Sequence, residues 1–312
     1  MRRPALLFSL ALAAGLAAEP PPTPPSSDEL YQAGKQLFDE YAPPEVKEQY
    51  EFPSHEVWDA FAARLQRALD QNDLAVLASA EPETRAAMKA MRTLPGYGDY
   101  ADWLAVRLDY IEAARQVSRT RPTPPVVGRP GPSAGHPVPA IPYYDLWLER
   151  LRTRPVPARA EQLMPLLREA FAAEGVPPEL AWLAEAESTL DPAARSPSGA
   201  KGLFQLMPVT ARSLGLSTFL PDDRTDAGKS AHAAARYLRT LHDQFGDWPL
   251  ALAAYNAGEG RVRRLLDTRR VRTFAEVSSS LPAETRMYVP KVCAIIAVRS
   301  GVTPAQLAVP RA

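Results

Sequence analysis

The chain has one cysteine in 312 residues, which leaves no partner for an internal disulfide and excludes a disulfide-stapled fold. That residue, Cys293, sits in the apolar run VCAIIAV and reads as a small buried hydrophobe. Histidine is nearly as scarce, at four residues, and none falls in an HExxH pattern. His232 and His242 lack metal-ligand spacing, no glycine-rich segment resembles a phosphate cradle, and no nucleophile triad presents itself. No metal and no cofactor are expected. Beyond the first eighteen residues no apolar run is long enough to cross a bilayer, and no cysteine follows that could carry a lipid, so no membrane anchor is expected. There is no internal repeat and no sustained apolar alternation of the kind a sheet requires.

Proline, by contrast, is abundant at 33 residues, and it is clustered. Residues 1–18, with a short basic start, an apolar run from Ala5 to about Leu16 and small residues before Glu19, have the pattern of a secretory signal peptide. PPPTPPSS within 19–27 reads as an extended tether, and 119–142, which holds RPTPPVVGRPGPSAGHPVPAIP, as a longer linker. Two regions lie between and after them, 28–118 and 143–312, and both carry apolar residues at helical spacing. The fold class expected is all-α. The net charge of zero hides an asymmetry: acidic side chains outnumber basic ones in 28–118, which argues against nucleic acid as a partner, while basic ones lead in 143–312.

The chemistry is sought in VPPELAWLAEAESTLDP. Pro178 suits a first helical turn and Pro192 biases its predecessor out of the α region, so a helix is expected from about Pro178 to Leu190. At about 100° per residue, Leu180, Leu183 and Leu190 form one stripe. Glu187 falls inside that stripe and Glu185 roughly opposite, where it reads as a surface residue. A carboxyl on the core-facing side loses hydration, its pKa rises, and it can hold a proton at neutral pH as a general acid. A buried structural carboxylate is the rival reading. Asp191, one turn further on, is a second carboxylate, but before a proline it suits a turn.

The residues that follow Glu187 carry a resemblance. Glu187-Ser188 at the end of a helix, then GLFQLMP at 202–208, ALAAYNAGEGRV at 251–262 and ETRMYVPKV at 284–292, resemble in order the blocks of the lytic transglycosylases of the goose-type lysozyme superfamily. The resemblance implies a lysozyme-like catalytic domain at 143–312, with 28–118 an N-terminal helical domain of unassigned role. It implies that Glu187 is the single catalytic acid and base, and that Ser196, Gln205, Met207, Tyr255, Asn256 and Tyr288 line a sugar groove. It further implies action on peptidoglycan glycan strands at the MurNAc-β-1,4-GlcNAc bond, with 1,6-anhydromuramoyl products, no cofactor and a periplasmic location. A cell-wall protein partner through 28–118 is a role left open. A hydrolytic muramidase and a non-catalytic peptidoglycan-binding scaffold remain the alternatives.

Overall fold

The computed structural model describes residues 64–93, 98–119, 141–196 and 198–311. The expected signal peptide, the tether, the helices expected over 28–63 and nearly all of the linker lie outside these residues. Among the described residues every regular element is a helix. The only strand-like pairings there are two isolated bridges, Arg195 with Lys201 and Lys201 with Leu206. The described part of the chain is all-α, and no described helix is long and apolar enough to cross a membrane.

After a helical stretch at 64–70, three helices come from the acidic first region: α1 (Leu74–Ser79), α2 (Glu81–Thr93) and α3 (Gly98–Arg119). The second region supplies α4 (Tyr144–Arg152), α5 (Ala160–Ala173), α6 (Leu183–Ser188) and α7 (Pro208–Ser213). It continues with α8 (Ala227–Phe245), α9 (Trp248–Ala257), α10 (Glu259–Arg269), α11 (Phe274–Val277) and α12 (Ala283–Ser300). Local chemistry sets several of these boundaries. The Asp226 carboxylate caps α8 by accepting from the Lys229 N–H, and Gly246 ends the helix at φ 70°. Asp247 caps α9 in the same way through the Leu250 N–H, with Pro249 in the first turn, where its missing N–H costs nothing.

The axis of the molecule is α12. Its residues from Met287 to Ile296 are all buried, so the helix is enclosed rather than amphipathic. Around it pack α4, α9, α6 and α3. Small residues on α8, Ala231, Ala233, Ala234 and Ala235, are fully covered and let α9 and α5 approach closely.

A proline-rich linker separates the two regions in sequence. Within the described residues α3 crosses that division. Leu104, Tyr110 and Ile111 of α3 belong to one apolar cluster with Trp147 and Leu151 of α4 and Met287 of α12. The Tyr110 and Trp147 rings meet edge to face, with centroids 6.1 Å apart. Asp109 sits at 9% exposure among cations of the second region, with Lys291 Nζ at 2.9 Å, Arg150 Nη2 at 3.0 Å and Arg154 Nη2 at 2.8 Å. A one-sequence reading counts Asp109 as surface charge because nothing local marks its partners, which lie 41 to 182 positions away.

Candidate active site

The helix expected over 178–190 forms in two parts. Pro178 opens a 3-10 turn, Pro178–Trp182, and α6 carries on to Ser188. It stops two residues short of Leu190, because Thr189 (φ 54°) and Leu190 (φ 61°) turn left-handed. Neither is glycine, and for β-branched Thr189 that conformation is costly. The surroundings hold it. The Leu190 N–H bonds to Ala184 O at 3.2 Å, and the Ser188 hydroxyl donates to Leu203 O at 2.9 Å while accepting from the Asp191 N–H at 3.1 Å. The end of α6 is thereby tied to the GLFQ loop.

Leu180, Leu183 and Leu190 are fully buried, as the stripe requires. Glu187 is half-buried, and its Oε1 accepts a 2.6 Å hydrogen bond from the Tyr288 hydroxyl of α12. Burial pushes the Glu187 carboxyl up to about 7, against the Tyr288 hydrogen bond and the Arg107 cation, which pull it down. A group so placed exchanges its proton near neutral pH.

Glu185 is a correction. It is not on a surface: its exposure is 6%, and it faces Arg299 of α12 in a two-pronged pair, Nε to Oε2 at 2.9 Å and Nη2 to Oε1 at 2.8 Å. The helix phase holds, but the face that carries Glu185 does not meet water, because α12 packs over it and supplies Arg299. Ala184 and Ala186 are also fully buried. Removing one partner of such a pair strands a buried charge, at about 3 kcal/mol or more. Glu185→Gln should therefore lower the chemical-denaturation midpoint clearly, yet leave the pH dependence of any Glu187 chemistry unchanged. A shifted pH profile in that variant would overturn the separation of roles.

The other expected site residues divide. Gln205, at φ 47°, lies in the same cleft as Glu187, and its amide donates to Gly202 O at 3.0 Å. Tyr255 packs on Tyr237 at 5.4 Å between centroids and donates to Phe204 O at 2.7 Å. Burial and then the charge of Glu187 hold its phenol well above the ordinary tyrosine range. Asn256 accepts from the Thr285 hydroxyl at 2.7 Å, joining α9 to α12 rather than capping a helix. Ser196 is buried within its loop, its hydroxyl accepting from the Ala200 N–H at 2.9 Å. Met207 stands 42% exposed at the start of α7 and is not part of the Glu187 cleft. Asp191 lines the cleft but serves a turn: its Oδ1 accepts from the Ala193 N–H at 3.2 Å and lies 3.4 Å from Arg159.

Two contributors escaped sequence reasoning. Arg224, only 4% exposed, donates to Gly199 O at 2.8 Å and Leu206 O at 3.1 Å, bracing the loop that carries Gln205. Gly202 is required there: a Cβ on it would stand 1.9 Å from Arg224 O, at φ 76°. The second contributor is α3, whose Asp102, Trp103 and Val106 form one side of the cleft. Among the described residues no cluster of His, Cys, Asp and Glu is arranged to hold a metal ion.

Residues 165–277 match the family model of the transglycosylase SLT domain, and Glu187, Gln205 and Tyr255 all fall inside the match. This segment is similar to the SLT domain family. The chain is 40% identical over 144 residues to the membrane-bound lytic murein transglycosylase D of Escherichia coli K12, covering 45% of this chain and 32% of that protein. It is 46% identical over 91 residues to the membrane-bound lytic murein transglycosylase F of Alcanivorax borkumensis, covering 27% and 18%. The chain thus spans a third or less of the length of these relatives. The crystal structure of the 70 kDa soluble lytic transglycosylase of E. coli superposes with a TM-score of 0.43 at 20% identity, covering 91% of this chain and 47% of that one. Tyr288 and all of α3 lie outside the SLT match.

Proposed function

We propose that the protein is a peptidoglycan lytic transglycosylase, exported to the periplasm and carrying the lysozyme-like arrangement that the family resemblance implies. The observation that carries this reading is Glu187: a carboxyl raised to about 7, held by Tyr288, at the wall of a cleft inside an SLT domain. The relatives named as murein transglycosylases support the substrate class.

In this mechanism protonated Glu187 gives its proton to the glycosidic oxygen between MurNAc and GlcNAc, and the C1–O bond breaks. The positive charge at the muramoyl C1 is met by its own C6 hydroxyl. That oxygen bonds to C1 while its proton returns to Glu187, so one carboxyl serves as acid and then as base. No water is consumed, and atoms balance in a 1,6-anhydromuramoyl end and a free GlcNAc 4-hydroxyl. A two-carboxyl glycosidase needs a second free acid beside the bond. The Asp191 carboxylate is occupied by its turn and by Arg159, which favours the one-carboxyl route.

The test is mass spectrometry of muropeptides released from purified peptidoglycan. Ends lighter by one water than reducing muramic acid are expected. Reducing ends would make the protein a muramidase, and an absence of any product would make it a binding scaffold.

A further inference from the structure

We propose that α3 is a working wall of the substrate cleft and that Trp103 is the platform on which one sugar ring of the glycan stacks, a specificity-determining residue lying outside the SLT match. The proposal rests on the glycan-cleaving reading above. Three observations point to it.

The first is placement. Trp103 and Glu187 line the same cleft, although 84 positions separate them. On α3, Ala101, Leu104, Leu108 and Ile111 are buried at 5% exposure or less, Asp102 is exposed, and Trp103 is half-buried, packed against the edge of the core while also lining the cleft. A tryptophan that packs on the core yet keeps part of its surface at the cleft has ring area within reach of a ligand.

The second is rigidity. The Arg107 guanidinium, one turn along α3, lies 4.7 Å from the Trp103 ring centroid, covering one ring face, and pairs with Glu284 of α12 at 3.0 Å. The stacked guanidinium and its pairing with Glu284 hold the orientation of the indole at the cleft. The Asp109 ion cluster pins the same helix to α4 and α12. A platform held in this way meets its ligand with little ordering still to be done.

The third is chemical fit. A pyranose ring presents a face of C–H groups and a rim of hydroxyl and amide groups. Trp103 and Val106 supply the apolar surface, and the Gln205 amide and the carboxyl of Glu187 supply polar groups in the same cleft. The occupant is a neutral glycan strand rather than a nucleotide or peptide. The cleft includes the reacting carboxyl itself.

The experiment uses the full mature chain with Trp103→Leu, which keeps an apolar side chain, and Trp103→Phe, which keeps a ring. Turnover of purified peptidoglycan and binding of soluble uncross-linked glycan strands are both measured, the binding in a Glu187→Gln background. Trp103→Leu is expected to raise KM and weaken binding about tenfold, with kcat within a factor of about three, and Trp103→Phe to restore most of the loss. The thermal midpoint and pH profile should stay close to wild type. Unchanged KM and binding in Trp103→Leu would overturn the proposal, as would losses in both variants that track a fall in thermal midpoint. If the wild type releases no product, the enzymatic reading fails by itself, and the binding arm still decides whether Trp103 holds a glycan.

Discussion

Glu187→Gln should cut peptidoglycan turnover by about 10²- to 10⁴-fold while glycan binding is retained. The amide keeps the size and can still accept from the Tyr288 hydroxyl, but it has no proton to deliver. The same substitution has a second signature with an unusual sign. The Glu187 carboxyl stands at about 7 in the folded protein, above its ordinary value of 4.5. Below pH 4.5 both folded and unfolded chains hold the proton, and the group is neutral toward stability. As pH rises from 4.5 to 7 the unfolded chain ionises first, so the folded state loses ground, and well above pH 7 the penalty is complete, on the order of 3 kcal/mol. Glu187→Gln removes that penalty. It should raise the thermal midpoint at pH 8 and leave it nearly unchanged at pH 4, while wild-type turnover falls as pH climbs through about 7. Equal midpoints for the two proteins at pH 8 would mean that the carboxyl is not desolvated, and the acid role would lose its physical basis.

The two glutamates of the AEAES segment mark how far a single sequence reaches. Periodicity placed Glu187 correctly beside Leu183 and Leu190, because neighbours on a helix face are a local property. It misplaced Glu185, because whether the opposite face meets water depends on α12, which lies about a hundred positions away and supplies Arg299. The end of the helix was misjudged for a related reason. Thr189 and Leu190 have no intrinsic preference for a left-handed turn, and it is the Ser188 hydrogen bond to Leu203 that holds the loop against them. The motif blocks brought Gln205, Tyr255 and Tyr288 to one place, since each block sits on an element whose packing they also help to fix. They carried no information about Trp103, whose position in the cleft follows from the docking of α3 and from no local pattern. What was legible was the helical character of the described segments and the chemistry inside one of them; what was hidden was which helix covers which.

That docking has its own large expected effect. Asp109→Ala should lower unfolding free energy by about 3–5 kcal/mol. Three cations converge on this carboxylate; burial opposes its ionisation, but Lys291 and Arg154 hold it well below the usual carboxylate range. Arg150 and Arg154 keep some access to water, but Lys291 does not: it is 3% exposed, with its ammonium 4.6 Å from the Tyr110 ring and 5.5 Å from the Trp147 ring. Without Asp109 it is left as a buried cation facing aromatic rings, and burial already pulls its pKa below the lysine range. Pairing Asp109→Leu with Lys291→Met should recover part of the loss, because the fully buried cation is replaced by an apolar side chain while the more exposed Arg150 and Arg154 keep access to water. Denaturant midpoints of the single and double variants measure this directly. A chain beginning at residue 143 keeps Lys291 and loses both Asp109 and the apolar face of α3, so it should be destabilised by at least as much as Asp109→Ala. If instead it unfolds at the midpoint of the full chain, α3 contributes nothing to the stability of the second region, and the rigidity that makes Trp103 a platform would have to come from elsewhere.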